Sequence, residues 1–348
     1  MDLQSAVVDN RIVLLGRVES NESSGSKIWW EEDLVWHEAT IPKPWTDVQL
    51  RSLAAGGPGI VAVGYDRTFS QQRPLIWNSA DGKTWHAVDA SAMGDGHLSR
   101  IGAASGGLVT WLIDAEESEI GQLWTSVDGI NWTAPDQAFG SPEQMLLVSS
   151  GATLTVLVAM PSELTGEPAP YSVLRASAPD AWNAVGELPD SLGAYVSAAA
   201  VGPLGWVAVG NRDSENVAWT SSDGQTWQVA PTAPSAVTNI FADAVGFIGV
   251  GHYNTGTGCA LSEEDNVGVT WTSNDGRDWR LVDEMEAEWI NTLRRRNRTL
   301  IGIGSSLRNG GYFEGTTWTA RLPNVPNTPG ATPTPTPLPT PTSPGCGP

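Results

Sequence analysis

The sequence has little of what disulfide frameworks, metal clusters and membrane spans require. Its 348 residues include only two cysteines and four histidines. Two cysteines cannot hold a metal cluster by themselves, so one disulfide or two free thiols are the options. The longest apolar runs, such as 153–160, have about eight residues, whereas a transmembrane helix needs about 20. No apolar period of 3.6 residues persists, so long amphipathic helices are not expected.

Positive charge is also scarce. Nineteen lysines and arginines stand against 39 aspartates and glutamates, which gives a formal charge of −20. Nucleic acid and anionic membrane surfaces are therefore not expected as partners, and membrane insertion is not expected either. The order Ser/His/Asp, a phosphate-binding loop and a zinc-ligand spacing are all missing, so the common catalytic motifs are not found.

Tryptophan and glycine, in contrast, are abundant, with 17 and 38 residues. Four segments, which begin at Trp77, Trp124, Trp219 and Trp271, carry a second tryptophan eight residues later, with Ser-x-Asp-Gly between the two. Asp-Gly between β-prone residues predicts a hairpin, because glycine adopts positive φ without cost. The Asp and Ser side chains can bond the backbone of their own turn. We call these segments the Ser-x-Asp-Gly turns; their residues are Ser79, Asp81, Gly82, Trp85, Ser126, Asp128, Gly129, Trp132, Ser221, Asp223, Gly224, Trp227, Ser273, Asp275, Gly276 and Trp279.

These turns resemble the Asp-box, or BNR, repeat of sialidase-like β-propellers, which is written Ser/Thr-x-Asp-x-Gly-x-Thr-Trp. This chain departs from that pattern because no residue separates Asp from Gly, a variant that the family tolerates. The resemblance implies an all-β propeller in which the turn aspartates are structural and lie on the face opposite the ligand face. Sialidase-like propellers include hydrolases, binding modules and assembly factors, so the resemblance indicates architecture more than function.

The repeat spacing predicts seven units of about 46 residues, each a four-stranded antiparallel blade. Asp128 follows Asp81 by 47 residues and precedes Asp223 by 95, which is two units. The first unit has a degenerate turn between Trp29 and Trp36, and the fourth has lost the turn. We expect the inner strands to begin near Leu3, Gln49, His97, Gln144, Tyr195, Val237 and Trp289. Whether the two tryptophans of a turn share one face of the blade depends on the turn length, and the sequence leaves this open.

The last blade is predicted to be incomplete. Its third strand, around Trp318, runs into prolines that disfavour a regular outer strand. The sequence therefore predicts a propeller over residues 1–322 and a disordered Thr/Pro-rich tail over 323–348, extended as polyproline II. Such stalks suit secreted and cell-surface proteins, so we expect an extracellular or cell-surface location. We also expect the native protein to extend upstream of Met1, with a closing strand and an export signal.

The predicted ligand face is formed in part by the links, the segments that connect one blade to the next. The candidate ligand-binding residues lie in these links and at the starts of the first strands. Trp45 and Trp289 lie in links, where the repeat demands no aromatic, and could stack on sugar rings. His97, Arg100, Tyr195 and Asn291 are the polar candidates beside them. Other polar residues at first-strand starts are Gln4, Gln49, Arg51, Gln144 and Asn239. Trp111 and Trp206 lie in second strands and are expected in the core.

No cofactor and no metal are expected, with one alternative for calcium. Two acidic loops, 114–119 and 262–266, carry carboxylates and Asn that could hold Ca²⁺ through oxygen atoms. Neither loop has the spacing of a known calcium loop, so solvated acidic loops are the favoured interpretation.

Two functions compete. The favoured one is a non-catalytic extracellular propeller that binds glycan or protein through its loop face. The alternative is a glycoside hydrolase of the sialidase-like type. As the resemblance implies it, that chemistry needs three converging arginines, a Tyr–Glu pair and an acid/base Asp. The arginine-bearing motif is missing, and Tyr195, Tyr253 and Tyr312 have no evident glutamate partner beyond Glu314. No catalytic residue is therefore predicted.

Overall fold

The protein is built almost entirely of antiparallel β-strands. A computed structural model shows 27 strands and two short 3-10 helices, Trp45–Asp47 and Ser91–Met93, among the residues that it describes. The described residues are 3–9, 11–19, 24–33, 35–57, 59–68, 71–104, 107–114, 121–134, 138–139, 145–150, 153–159, 170–178, 181–243, 245–254, 266–286, 288–296, 299–308 and 312–321.

These strands form seven sheets, six with four strands and one with three. The first sheet contains β1 (Leu3–Val8), β2 (Arg11–Glu19), β3 (Ser24–Glu32) and β4 (Val35–Glu38), and the second contains β5 (Val48–Gly56), β6 (Gly59–Asp66), β7 (Arg73–Ser79) and β8 (His86–Val88). The third contains β9 (Gly96–Ala104), β10 (Gly107–Asp114), β11 (Gly121–Ser126) and β12 (Ala138–Phe139), and the fourth contains β13 (Met145–Ser150), β14 (Thr153–Ala159), β15 (Tyr171–Ala178) and β16 (Ala181–Glu187). The fifth contains β17 (Tyr195–Gly202), β18 (Gly205–Arg212), β19 (Glu215–Ser221) and β20 (Gln228–Val229), and the sixth contains β21 (Val237–Asp243), β22 (Gly246–Asn254), β23 (Asn266–Ser273) and β24 (Arg280–Glu286). The seventh contains β25 (Glu288–Arg296), β26 (Thr299–Arg308) and β27 (Tyr312–Arg321).

The sheets are arranged in a ring, as the blades of a β-propeller are. The first strand of each sheet contacts the first strand of the next, and β25 contacts β1, which closes the circle. Hydrophobic clusters lie between neighbouring sheets all the way around, including one between the seventh and first sheets that joins Ile301 and Ile303 to Ile12 and Leu14. The core is therefore distributed over the seams between sheets, and the inner strands surround a central axis. Each inner strand starts within one residue of the predicted position.

The Ser-x-Asp-Gly turns are closed by their own side chains. In all four, the Asp Oδ1 accepts backbone N–H groups two and three residues later, at 2.7–3.4 Å. The Ser Oγ accepts the Gly N–H at 2.8–2.9 Å. The four glycines have φ between 69° and 78°, the left-handed region that glycine adopts without strain. Each carboxylate is thus used within its own turn.

Both tryptophans of each turn pack on the same side, against the preceding sheet. Trp77 and Trp85 share a cluster with residues of the first sheet, and the equivalent pairs of the third, fifth and sixth sheets behave alike. The question that the sequence left open is therefore settled in favour of one face. Trp111 and Trp206 are buried, as predicted.

The seventh sheet has three strands among the described residues, and β27 pairs there with β26. The predicted tail, 323–348, and both cysteines lie outside the described residues, and so does Met1. Of the helices in the described part of the chain, none is long and apolar enough to cross a membrane.

We expect Asp223→Ala to lower the free energy of unfolding, because it removes the acceptor of two backbone N–H groups and of the Ser221 hydroxyl. Each such bond contributes about 1 kcal/mol. After allowance for exposure, the loss should be about 1–2 kcal/mol, or a few degrees in Tm. Thermal unfolding followed by circular dichroism measures it. Ser222→Ala is the matched control, since Ser222 is exposed in the same turn and should leave Tm unchanged.

The effect of this substitution should depend on pH with a defined sign. Hydrogen bonds from the Thr226 and Gln225 N–H groups lower the pKa of Asp223 to about 2, below the value of about 3.9 in unfolded chains. The ionised carboxylate therefore stabilises the folded state above about pH 4, and this contribution is lost as the pH falls towards 2. If the Tm difference between wild type and Asp223→Ala stays constant from pH 7 to pH 2.5, this explanation is wrong.

Candidate functional site

Four side chains meet where the inner strands of the second and third sheets begin. Gln49 and Arg51 belong to β5, Tyr65 to the end of β6, and His97 to the start of β9. We call these four residues the mouth cluster, because they lie at the loop-face end of strands that surround the axis. Gln49 and Tyr65 are register partners, so the antiparallel pairing of β5 with β6 places them side by side.

The mouth cluster is ordered by aromatic and polar contacts. The Tyr65 hydroxyl donates to Gln49 Oε1 at 2.9 Å. The Arg51 guanidinium carbon lies 5.6 Å from the centroid of the Tyr65 ring, within the range of a cation–π contact. The His97 ring meets the same tyrosine edge-on, with centroids 5.8 Å apart. Tyr65 thus contacts a cation and an imidazole at the same time.

His97 is kept neutral by its surroundings. Burial lowers the pKa of His97, and the nearby Arg51 guanidinium lowers it further. Its Nδ1 atom is buried without a hydrogen-bond partner among the described residues. Protonation would place an unpaired N–H in that buried position, which is costly. The imidazole is therefore a neutral polar group beside the Arg51 cation.

β-Bulges place polar residues at this end of the inner strands. Five inner strands, β5, β9, β17, β21 and β25, each contain a register shift near their start. A bulge breaks the regular alternation of side chains and is frequent beside binding sites, where it redirects a residue. The residues at these shifts are Arg51, Ser99 with Arg100, Ser197, Thr238 and Asn291.

Arg51 and Arg100 are exposed cations without an ion pair to any described carboxylate. Other basic side chains of the chain do form such pairs, for example Arg11 with Glu32 at 3.3 Å and Lys27 with Glu38 at 2.9 Å. In a chain of formal charge −20, Arg51 and Arg100 are thus two exposed guanidinium groups at the register shifts of adjacent inner strands. An exposed guanidinium can bind a carboxylate through charge-assisted hydrogen bonds.

The structure distributes the predicted ligand residues unevenly. His97 belongs to the mouth cluster, and Arg100 lies three residues further along the same strand. Tyr195 starts β17 and is exposed by 52%. The backbone carbonyl of Asn291 accepts a hydrogen bond from the Asn239 side-chain amide at 3.1 Å, which joins the sixth and seventh sheets. Gln4 similarly accepts the Leu53 N–H of the second sheet at 3.3 Å, so these amides contribute to the seams.

The two predicted stacking tryptophans have different outcomes. Trp45 is half-buried, and the Lys27 ammonium lies 5.5 Å from the centroid of its ring. Its backbone packs directly on Gly25 of β3, where a Cβ atom would meet the Trp45 carbonyl oxygen. The side chain of Trp289 and the whole of Gln144 lie outside what the structure describes, so a stacking role for Trp289 stays a prediction.

Sequence reasoning missed one residue of the mouth cluster and one pair elsewhere. Tyr65 was not a candidate, whereas Gln49, Arg51 and His97 were named among the polar residues at first-strand starts. On the sixth sheet, the Tyr253 hydroxyl donates to Glu284 Oε1 at 3.0 Å, so Tyr253 has a glutamate partner that the sequence did not reveal. Burial and the Glu284 carboxylate raise the pKa of Tyr253. No sequence spacing predicts the Tyr253–Glu284 contact, because strand β23 lies between β22 and β24.

A cleft of about 470 Å³ opens on the outer part of the second sheet. It is lined by Lys43, by the end of β6, by β7 and β8, and by the β8–β9 connection. Its apolar lining includes Leu75, Val88 and Ala90. Strand β8 pairs only with Ile76, Trp77 and Asn78. The edge of β7 from Arg73 to Leu75 therefore borders the cleft without an outer strand among the described residues.

Two ion pairs line this cleft. The Lys43 ammonium donates to Asp66, whose other oxygen accepts the Thr68 N–H and hydroxyl at 2.9 and 2.6 Å. Burial raises the pKa of Asp66, but the hydrogen bonds from Lys43 and Thr68 outweigh it and leave the pKa below its usual value. Arg73 and Asp95 approach to 3.9 Å and are about half exposed. The cleft thus has balanced charge and an apolar interior.

No group of three or more His, Cys, Asp or Glu side chains that could hold a metal ion occurs among the described residues. Residues 115–119 and 262–265 of the two acidic loops lie outside the described part of the chain, so the calcium alternative remains a prediction.

We expect His97→Gln to reduce the loss of stability in mild acid. The folded state lowers the pKa of His97 below the value of about 6.5 in unfolded chains. The unfolded chain therefore binds a proton first as the pH falls, and stability decreases from about pH 6.5 downwards. Urea unfolding at pH 8 and pH 5.5 measures the difference. The pKa of His252 is lowered as well. Its contribution to the pH dependence of stability is the same in wild type and in both variants. The exposed His86 provides the control His86→Gln; equal pH dependence of all three proteins would contradict the account.

Comparison with known proteins shows the fold. No protein-family model matches the chain, and no curated protein sequence matches it. Solved structures do. YCF48 bound to D1 peptide is 14% identical with a TM-score of 0.55, and the match covers 88% of this chain and 91% of that one. The polysaccharide lyase Uly1 is 9% identical with a TM-score of 0.57, over 91% and 89% of the two chains. The β-propeller domain of the Trilobed protease from Pyrococcus furiosus is 7% identical with a TM-score of 0.57, over 92% and 94%. At these identities the likeness establishes that the chain has a β-propeller fold.

Proposed function

We propose that this chain is a seven-bladed β-propeller of the Asp-box (BNR) class that binds a carboxylate-bearing ligand at its loop face without transforming it. The ligand is a glycan or a protein segment. The observation that carries the proposal is that two exposed arginines of an acidic chain, Arg51 in the mouth cluster and Arg100 on the adjacent inner strand, have no carboxylate partner among the described residues.

Electrostatics favours this ligand class over a neutral one. The net charge repels anions at long range, but salt screens such fields over about 8 Å at physiological ionic strength. At contact, a guanidinium held against the Tyr65 ring is pre-oriented, so little side-chain entropy is lost when it pairs with a carboxylate. His97, neutral beside it, can form a hydrogen bond without adding charge.

The structural neighbours are compatible with both ligand sources. One is described as bound to a peptide and another as a polysaccharide lyase. The Thr/Pro-rich sequence after residue 322 suits a tether, and we propose an extracellular or cell-surface location on that ground.

A second candidate function is glycoside hydrolysis, which the Tyr253–Glu284 hydrogen bond favours. A tyrosine activated by a glutamate can serve as a nucleophile in sialidase-type chemistry, as the resemblance implies. This pair lies on the sixth sheet, whereas the unpaired arginines lie on the second and third. A fluorogenic sialoside assay tests it: turnover that is lost in Tyr253→Phe would favour hydrolysis, and absence of turnover leaves binding alone.

We expect Arg51→Gln to weaken binding of carboxylate ligands at least tenfold, because a charge-assisted hydrogen bond contributes about 1.5–3 kcal/mol. A panel of acidic peptides and uronate-bearing oligosaccharides, each paired with its methyl ester, provides the probes. Isothermal titration calorimetry measures the affinities. The matched control is Arg280→Gln, an exposed arginine on the outer strand β24.

The control should leave affinity unchanged, and the esters should bind wild type and Arg51→Gln equally. If the carboxylates and their esters bind wild type with the same affinity, the proposed function is wrong.

A further inference from the structure

Asp–Gly bonds are prone to one spontaneous reaction, the isomerisation of aspartate, because glycine has no side chain to shield its nitrogen. The glycine nitrogen attacks the side-chain carbon Cγ of a neutral aspartic acid. A C–N bond forms, the Cγ–OH bond breaks, and the hydroxyl group leaves with the proton of the nitrogen as water. Water then opens the resulting succinimide ring and yields aspartate or isoaspartate, whose main chain runs through Cβ. The sequence contains five Asp–Gly bonds, at Asp81, Asp95, Asp128, Asp223 and Asp275.

Ring closure depends on the local structure of each Asp–Gly bond. The carboxyl group must turn towards the glycine nitrogen and come into contact with it. The glycine N–H must also be free to lose its proton. A hydrogen bond that holds either group elsewhere has to break first, and this slows the reaction. The number of such hydrogen bonds therefore ranks the five sites.

In the four Ser-x-Asp-Gly turns both groups are held. The Asp Oδ1 accepts two backbone N–H groups and the Ser hydroxyl, the latter at 2.9–3.3 Å. The Ser Oγ in turn accepts the Gly N–H. Hydrogen bonds from backbone N–H groups also lower the pKa of Asp81, Asp128 and Asp223, which reduces the neutral fraction that can react. Four hydrogen bonds thus oppose ring closure in each turn.

Asp95 lacks most of these restraints. No serine stands two residues before it, and its half-exposed carboxylate lies 3.9 Å from Arg73, beyond hydrogen-bond distance. A Cβ on Gly94 would meet nothing within 4 Å, so the chain before Asp95 has room to rotate. Among the described residues, the hydrogen bond that opposes ring closure is the one from the Gly96 N–H to the Gln72 carbonyl at 2.7 Å.

Glycine is nevertheless required at position 96. The φ of Gly96 is 143°, and a Cβ there would meet the Ile113 carbonyl oxygen at 2.3 Å. A side chain that would shield the nitrogen is therefore not accommodated. Isoaspartate at position 95 would add one methylene to the main chain where β9 begins, directly before Gly96 and His97.

From this contrast we propose that Asp95 is a modification site, the residue at which the folded chain forms isoaspartate. In the turns, the Ser hydroxyls and the backbone N–H groups suppress the same reaction. Each additional hydrogen bond that must break slows ring closure about fivefold. Three additional bonds make the turns slower than Asp95 by a factor on the order of 100. The inference goes beyond the proposed function and is independent of the ligand at Arg51.

Ageing of the full chain at pH 7.4 and 37 °C tests the proposal. Trypsin releases Asp95 in the peptide 84–100, which contains none of the turn aspartates. Electron-transfer fragmentation of the separated peptides then quantifies isoaspartate at each site. The fraction at Asp95 should exceed that at every turn aspartate at least tenfold. Asn309–Gly310, which lies outside the described residues, can form isoaspartate by loss of ammonia and is counted separately in its own peptide.

The same ageing in guanidinium chloride separates the effect of the fold from that of the sequence. In the unfolded chain the five Asp–Gly bonds have no native hydrogen bonds, so their rates should agree within a few-fold. If the five sites have the same order and the same spread of rates in the folded and the unfolded chain, the proposal is wrong. It is equally wrong if isoaspartate at Asp95 does not exceed that of the turns in the folded chain.

Three variants test the cause of the difference. Ser221→Ala removes the hydroxyl that holds both reacting groups in one turn, and should raise isoaspartate at Asp223 about tenfold. The matched control Ser222→Ala should leave it unchanged, and Tm values verify that both variants are folded. Asp95→Glu keeps the charge beside Arg73 but cannot form the five-membered ring, so position 95 should yield no isomer. An unchanged rate at Asp223 in folded Ser221→Ala would overturn the protective role of the serine.

Discussion

The packing of the Ser-x-Asp-Gly turns against the preceding sheets is the interaction that closes four of the seven seams of the ring. A Cβ on Gly82 would meet Val13 at 2.4 Å, and one on Gly276 would meet Val207 at 2.1 Å; both valines belong to the preceding sheet. The chain that leaves that sheet adds a clamp, since Thr40 exchanges backbone hydrogen bonds with the turn of the second sheet at Lys83 and Trp85. Each turn therefore closes its own hairpin and also one seam of the ring.

These contacts lie away from the loop face, to which we assign the proposed binding. Cohesion comes from tryptophan pairs between sheets and from the turns on one face, so the loop-face ends of the inner strands are less constrained. Bulges there interrupt the ladder at Arg51 and at Ser99 with Arg100. They do so without opening a seam, because Leu50 and Leu98 beside them remain buried. A fold held together in this way can vary its mouth while its framework stays constant.

The sequence could predict what depends on local patterns and the repeat, but not what depends on neighbouring sheets. The inner-strand starts followed from the turn spacing, and the hydrogen bonds of Asp223 followed from the chemistry of one turn. In the fourth sheet the Ser-x-Asp-Gly motif is lost, but Leu174 and Trp182 still pack at a seam. The eight-residue spacing of the two packing residues is therefore kept without the motif. The contact of His97 with Tyr65 joins two sheets, and the Tyr253–Glu284 bond crosses a strand. Both depend on twist and register, which residue spacing does not encode.

Under the proposed function, the neutral state of His97 limits the charge of the mouth cluster to the Arg51 guanidinium. If His97 were protonated, its charge would repel Arg51, and two cations would contact the Tyr65 ring. Burial prevents this, and the guanidinium itself contributes to the lowered pKa of the imidazole. The cluster therefore presents one guanidinium beside an uncharged polar ring. A diffuse positive patch would attract any anion, whereas the ligand that we propose matches a single carboxylate with a neighbouring hydrogen-bonding group.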